Sequence, residues 1–359
     1  FSCSFFSIIS LLFNSVKYCT KKNMLVFAAE TSCDETSICL MENSSIVEHI
    51  TFSQEIHKMH GGVVPELASR SHLEKIQIIT NDLFNNKKIE PKEIDVFTAT
   101  CGPGLIGCLL VGSTFTKSLA ISFNKPFVPT NHLEGHILST SFNNNIKFPN
   151  LILLLTGGHT QVYLMKSENE IELLGQSVDD AIGEAFDKTA KLIGLSYPGG
   201  SEIEKQALKG NENRFVLPKP LVKEKNFNFS FSGIKTNINL LTKKNKIDKK
   251  FVEDLSASFQ KNITEILIEK LEKGLKRLSY ENINIKSISV VGGVSNNKYI
   301  RSKIEDFFVE KNIDIYYPIK EMMGDNAAMI AWACMKFYKE DKNNLFFKPL
   351  PRLEVRSVL

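Results

Sequence analysis

Along this chain, short runs of consecutive apolar residues end in clusters of glycine, hydroxyl and acidic residues, and many are followed by helical spacings. The run Met24–Ala29 predicts a buried strand. It closes on Glu30-Thr31-Ser32-Cys33-Asp34-Glu35-Thr36-Ser37, after which Ile38–Met41 and Ile46–Phe52 predict two more strands. Leu67, Leu73, Ile76, Ile79 and Leu83 recur at helical intervals over 65–83. Ile94–Thr100 predicts a strand that runs into the tight turn Cys101-Gly102-Pro103-Gly104. A helix over Leu105–Phe123, a short strand over Pro126–Pro129 and a helix over His132–Ser141 follow. Leu151–Leu155 is wholly aliphatic, the mark of a strand buried on both faces. It stops at Thr156-Gly157-Gly158-His159-Thr160 and resumes as Gln161–Met165.

Downstream the pattern predicts a helix over Ala181–Leu192, a turn at Tyr197-Pro198-Gly199-Gly200 and an aromatic-rich stretch, Phe227–Phe231. A long helix over Phe251–Leu278 and a strand over Ser287–Val291 come next, the strand closed by Gly292-Gly293. A helix from Asn296, a strand over Ile313–Tyr317 and a helix over Asp325–Lys336 complete the chain. Strands that end in glycine turns and lead into helices occur in both halves. The fold class is therefore α/β, with two lobes and a cleft between them. We place an N-terminal lobe over 24–130 and a C-terminal lobe with helical insertions over 131–337. The last helix is expected to return to the first lobe, leaving a tail over 338–359.

Bulk composition changes this picture little. The 359 residues suit two domains at roughly 100–200 residues each. With 43% hydrophobic residues the core can stand without disulfides, so a bound metal would serve function rather than folding. Seven cysteines with no C-x-x-C pair argue against a disulfide framework or a zinc knuckle, and for a reducing compartment. Residues 1–23 carry no acid, and their apolar stretch Phe5–Phe13 is too short to span a bilayer. Untranslated sequence upstream of a start at Met24, an organellar transit peptide and a secretory signal are the competing readings. We favour the first and leave 1–23 out of the fold. No other segment approaches transmembrane length, so no membrane partner is expected.

Charge matters only locally. A net charge of +4 does not announce a nucleic-acid binder. The stretch from Lys235 through Lys243, Lys244, Lys246, Lys249 and Lys250, however, contains a single acid, Asp248. It is either a solvated linker or a patch that meets a phosphate backbone.

Three constellations carry chemistry. In Asn131-His132-Leu133-Glu134-Gly135-His136, two histidines at i and i+4 share one helical face and can share an ion. A plain surface or core histidine pair has the same spacing. The acid stands one place later than in H-E-x-x-H proteases, so it is not poised as their general base. Asp325, at a helix start, is a candidate third ligand, and two histidines with one carboxylate suit Fe(II) or zinc. The glycine turns at 156–160 and 292–297 each follow an apolar strand, where backbone N–H groups can approach phosphate or ribose. Neither matches a P-loop or a dinucleotide fingerprint. In Asp179-Asp180-Ala181-Ile182-Gly183-Glu184-Ala185-Phe186-Asp187-Lys188 the first acids suit a helix cap, and Asp187 suits a ribose hydroxyl.

With these residues assembled, the chain resembles the universal tRNA threonylcarbamoyladenosine transferase family. The matching motifs run over nearly all of the chain after Met24: ETSCDETS at 30–37, GGVVPELASRSH at 61–72, GPGLIG at 102–107, NHLEGH at 131–136, TGGHT at 156–160, DDAIGEAFDK at 179–188, YPGG at 197–200, FSFSGIKT at 229–236 and GGVSNN at 292–297. The resemblance implies two ribonuclease-H-like lobes of the actin/Hsp70/sugar-kinase (ASKHA) fold, with nucleotide in the cleft. It implies transfer of a threonylcarbamoyl group from threonylcarbamoyl-AMP to N6 of adenosine 37, in tRNAs that read codons beginning with adenine. It implies one divalent metal, iron first and zinc second, held by His132, His136 and Asp325. The adenylate and its acyl group would contact Leu154, Leu155, Thr156, Gly157, Gly158, Asp187, Gly200 and Asn297. Asp34 and Glu35 would sit at the reacting centre and steer or deprotonate the attacking amine.

Implied partners are tRNA, an inactive paralogue and a P-loop ATPase in a bacterial setting, or a second copy of the chain in a mitochondrial one. The expected location is the cytoplasm, or the mitochondrial matrix if 1–23 is a transit peptide. Glu204 departs from the family pattern, which has aspartate there in many members. Rival readings are a small-molecule kinase or ATPase of the same fold, a metallopeptidase, and a non-catalytic scaffold.

Overall fold

A computed structural model describes residues 24–338 and 343–355; the extension 1–23 lies outside the described residues. The apolar runs become strands because backbone groups taken from water must pair, and here they pair with one another. The first half forms β1 (Leu25–Glu30), β2 (Glu35–Glu42), β3 (Ser45–Ser53), α1 (Pro65–Lys87), β4 (Val96–Gly102), α2 (Ile106–Ser122), β5 (Phe127–Asn131) and α3 (His132–Ser139). The second forms β6 (Asn150–Leu155), β7 (Thr160–Ser167), β8 (Glu170–Gln176), α4 (Ile182–Leu192), α5 (Gly199–Ala207), α6 (Ser232–Lys244), α7 (Lys249–Tyr280), β9 (Ser287–Val291), α8 (Lys298–Val309), β10 (Asp314–Tyr316) and α9 (Ala327–Phe337).

The two sheets repeat one plan. The first is ordered β3-β2-β1-β4-β5 and the second β8-β7-β6-β9-β10. In each, the first three strands form an antiparallel meander, and the other two run parallel to the first. No short repeat in the sequence advertises this duplication.

Both faces of each sheet are covered. Phe27 and Ala29 of β1 face a core with Ile76, Ile79 and Leu83 of α1, whereas Val26 and Ala28 face Met329, Ile330 and Ala333 of α9. Leu151, Leu153 and Leu155 of β6 likewise face α4 and α7, while Ile152 and Leu154 face the α3–α9 layer. The central strands β1 and β6 are near-continuous apolar runs because neither of their faces meets water. Helix α3, which follows the first sheet, reaches β6 and β9; helix α9, which follows the second, lies on β1, β2, β4 and β5. The two helices pack on each other between the sheets. Trp332 Nε1 donates to the Leu138 carbonyl at 3.1 Å and to Ser141 Oγ at 3.0 Å.

Three elements depart from the sequence pattern. Edge strand β8 is mostly exposed and polar, so it lacks an apolar run. Helix α5 begins at glycines read as a turn, and Ile203 is the hydrophobic side chain it buries. Helix α6 buries only Ile234 and Ile238, and it turns the first part of the lysine-rich stretch into helix instead of linker. Lys249 and Lys250 open α7, with Lys250 2.9 Å from Asp254; Lys243, Lys244 and Lys246 are exposed.

Residues 343–355 are tied to the first sheet. Asn344 N donates to the Phe127 carbonyl at 2.9 Å, and Leu350 N to the Cys101 carbonyl at 2.8 Å. Gly102 has φ +141°, and a Cβ there would stand 2.0 Å from the Leu350 carbonyl oxygen. Glycine is needed for the segment to pass.

Candidate active site

The histidine pair is set by a helix start. Asn131 caps α3, its side-chain oxygen accepting from Leu133 N at 2.8 Å and Glu134 N at 3.3 Å. One turn apart, the rings of His132 and His136 meet edge to face with centroids 4.8 Å apart. They are 4% and 0% exposed. Asp325 arrives from the turn before α9, whose cap is Asn326. Its Oδ1 lies 3.0 Å from His136 Nε2 and 3.6 Å from His132 Nε2. One donor atom from each of the three residues lies within 4.8 Å of the others.

Two imidazole Nε2 atoms converging on one carboxylate oxygen, in a buried place, are a donor set that fits a divalent ion. The electrostatics agree. Burial opposes a charged His132, yet Asp325 and Glu30 push its pKa up to about 9. Burial also opposes a charged Asp325, and His132 and His136 hold its carboxyl well below the usual range. Burial leaves His136 below its ordinary value despite Asp325. The cluster thus concentrates negative charge that calls for a cation, whether a proton or a metal.

The carboxylates of the β1–β2 turn lie beside it. Burial raises Glu35 well above the usual carboxylate range, with Asp325 and then Asp34 adding repulsion. Asp34 Oδ2 accepts from the Tyr197 hydroxyl at 3.2 Å, and its carbonyl from Gln54 N at 3.1 Å. Beneath the turn, buried His72 accepts from Thr36 Oγ1 at 2.8 Å and donates from Nε2 to the Cys33 carbonyl at 2.9 Å. Gln54 connects His72 to His57. This network explains why α1 carries a polar residue on its buried face.

The glycine turns meet at one edge of the second sheet. β6 and β9 are parallel neighbours, so the turns at 156–160 and 292–297 leave the same carboxyl edge, where open α/β sheets take ligands. Gly292 has φ +92°, and a Cβ there would lie 2.4 Å from the Leu155 carbonyl oxygen, so only glycine lets these turns touch. Gly183, in the first turn of α4, comes as close to Gly157, for its Cβ would lie 2.7 Å from the Gly157 Cα. Gly157, Gly158, Gly200 and Gly293 open onto free space. Burial pushes the Asp187 carboxyl up to about 6, and its Oδ1 accepts from Gly199 N at 2.7 Å.

The structure thus brings His132, His136 and Asp325 together, with Glu35 inside their field. Leu154 and Leu155 are 0% exposed as whole residues, so a ligand contact would need their backbone to be uncovered. Asn297 caps α8 and donates to Gln260 Oε1 at 2.8 Å. Asp179 is taken up by Ser230, Phe231 and Ser232 at the start of α6, and Asp180 pairs with Lys188 at 2.6 Å. Glu204 accepts from Lys298 N at 2.7 Å. Sequence reasoning passed over Glu30, Thr100, His159 and Tyr197. Glu30 had a signal: it is an acid ending a strand that is otherwise apolar.

Two sheets of one plan, each covered on both faces and meeting through exchanged helices, define a two-lobed ASKHA-type α/β protein. HypF in its phosphate- and nucleotide-bound form has this fold, with a TM-score of 0.56 at 14% identity over 88% of this chain and 46% of that one. HypF of T. kodakarensis matches equally, at 0.56 and 14% over 87% of this chain and 47% of that one. At that identity the likeness concerns the fold alone. The family model for tRNA N6-adenosine threonylcarbamoyltransferase (TsaD) matches residues 45–332. Proteins of that name from Thermosipho africanus and Pelagibacter ubique are 42% and 43% identical. They cover 92% and 89% of this chain and 100% and 91% of their own lengths. A third, from Wolbachia pipientis wMel, is 39% identical over 92% of this chain and 99% of its own. The chain belongs to the tRNA N6-adenosine threonylcarbamoyltransferase family. It is a transferase of tRNA modification.

Proposed function

We propose that this chain joins a threonylcarbamoyl group, delivered as threonylcarbamoyl-AMP, to N6 of adenosine 37 in tRNAs that read codons beginning with adenine. The observation that carries the reading is the buried convergence of His132, His136 and Asp325 next to acids and open glycine turns. In the reaction the amine nitrogen bonds to the carbamoyl carbon, the carbon–oxygen bond to phosphate breaks, and AMP leaves. The N6 proton must go to a base, and Asp34 or Glu35 supplies a carboxylate for it. Glu35 has its basicity raised by burial, and Asp34 is held by Tyr197. The amides at Gly157 and Gly158 can donate to phosphate oxygens, with Gly200, Asp187 and Asn297 on the adenosine side, whereas Thr156 N already donates to the His159 carbonyl at 2.9 Å. For Leu154 and Leu155 the contact would be through backbone. A divalent ion held by His132, His136 and Asp325 would supply positive charge to the carbonyl or the leaving phosphate. Iron is our first assignment and zinc our second.

The peptidase alternative has less support, because Glu134 stands one place later than the general base of H-E-x-x-H proteases. We divide the chain into lobes at 24–130 and 131–337, with a tail at 338–359; the return of α9 onto β1 and β2 supports this division. An inactive paralogue with a P-loop ATPase, or a second copy of the chain, remains our proposal for partners. No helix among the described residues is long and apolar enough to cross a membrane. The described cysteines are free, which fits a reducing compartment; the cytoplasm is our first assignment and the mitochondrial matrix our second.

The test is reconstitution with tRNA, ATP, bicarbonate, threonine and a synthase that makes the adenylate. Modified nucleoside is then measured by mass spectrometry. The wild-type chain is expected to modify adenosine 37, and a His132→Ala/Asp325→Ala double variant to lose at least about 100-fold in rate. Wild-type modification by the double variant would sink the metal reading.

A further inference from the structure

We propose that Glu30 is the positioning residue that makes His132 the anchored ligand of the metal centre, while the ring of His136 has no such partner behind it among the described residues. The inference rests on reading His132, His136 and Asp325 as that centre. Glu30 ends β1 and is 0% exposed. A bare buried carboxylate is costly, and nothing in an apolar strand requires one. Every contact it makes leads toward His132. Oε1 accepts from Ser32 N at 2.6 Å, and Oε2 accepts from the Thr100 hydroxyl at the end of β4. The same Oε2 lies 3.2 Å from His132 Nδ1, with Ser32 Oγ 3.3 Å from that nitrogen.

A neutral imidazole donates from one nitrogen and accepts at the other. A carboxylate oxygen at Nδ1 can only accept, so it keeps the proton there and leaves the lone pair on Nε2. That is the nitrogen aimed at Asp325. Carboxylates behind ligating histidines act in this way in other metal proteins, fixing both tautomer and ring direction. His136 has no such support: its Nδ1 is buried with no hydrogen-bond partner among the described residues. The two ligands are therefore unequal. The tip of the first sheet, through β1 and β4, sets the direction of one of them.

The experiment measures Zn²⁺ affinity by chelator competition on the full chain, with the Co²⁺ d–d spectrum as a second readout. Glu30→Gln keeps the shape but removes the charge and turns one of the two accepting oxygens into a donor. It is expected to weaken Zn²⁺ binding 10–100-fold and shift the Co²⁺ bands, with the metal-free melting temperature little changed. Thr100→Val and Ser32→Ala, which loosen the strand tip but keep the carboxylate, are expected to weaken binding far less. Wild-type affinity in Glu30→Gln, or an equal loss in Thr100→Val and Ser32→Ala, overturns the proposal. His132→Ala separates the two levels: if it binds Zn²⁺ as wild type does, the metal reading itself fails. If Glu30→Gln does not fold, ¹⁵N imidazole shifts of the Zn²⁺-loaded wild type decide. Metal on His132 Nε2 with a proton on Nδ1 supports the role, and metal on Nδ1 overturns it.

Discussion

Asp187 shows how a single acid can be set for ligand at the expense of the free protein. Its carboxyl is pushed up to about 6, first by burial and then by Asp34, although it accepts from Gly199 N. The raised value means the folded chain binds a proton that the unfolded chain has already lost. Below the ordinary aspartate value near 3.8 both states are neutral there, and the group makes no difference. As pH rises from about 3.8 to about 6 only the unfolded state gives up its proton, so stability falls across that window and levels off above it. Asp187→Asn keeps the oxygen that faces Gly199. It is expected to raise the melting temperature of the ligand-free protein at pH 7.5, by several degrees more than at pH 5. A gain that does not grow with pH would remove burial as the cause. The same variant should weaken adenylate binding if the carboxylate holds a ribose hydroxyl.

At the scale of elements, helices α3 and α9 decide the site. Each is short and starts at an asparagine cap; α3 brings His132 at its first position and His136 one turn on, and Asp325 stands just before the cap of α9. Asn131 has a second duty, for its amide donates to the Leu353 and Glu354 carbonyls at 3.3 and 2.8 Å. The terminal segment is thereby tied to the start of the metal-bearing helix. Asn131→Ala is expected to cost about 1–2 kcal/mol from the lost cap alone. Denaturant melts would measure that cost, and Asn131→Asp, which keeps the cap oxygen but sets a second oxygen against the Leu353 and Glu354 carbonyls, should not recover it. Spacing alone disclosed the histidine face of α3 and the helix of α9. It could not disclose that α9 would carry Asp325 to α3, because that depends on which sheet each helix covers. The missed elements β8, α5 and α6 share a cause: each buries too few side chains to mark its own period.

For the whole molecule, the charge question is one of surface, not of net charge. Lys243, Lys244 and Lys246 stand exposed at the end of α6 and in the turn after it, with no ion pair recorded for them among the described residues. Neutralising all three is expected to weaken tRNA binding and lower the slope of log affinity against log salt by about two to three units. Binding assays across a salt series would show it, and an unchanged slope would return the stretch to a solvated surface. By itself, the sequence determined the apolar strands, the glycine turns and the i, i+4 histidines, since each is a local pattern with a local physical cause. Its motifs also carried the family. Only the tertiary structure decided that the two halves repeat one sheet plan, because backbone pairing order leaves no mark on residue identity. It alone put Glu30 behind His132, 102 positions away along the chain, and Asp325 against His136, 189 positions away. Contacts so distant form only when two sheets and their exchanged helices close on one core.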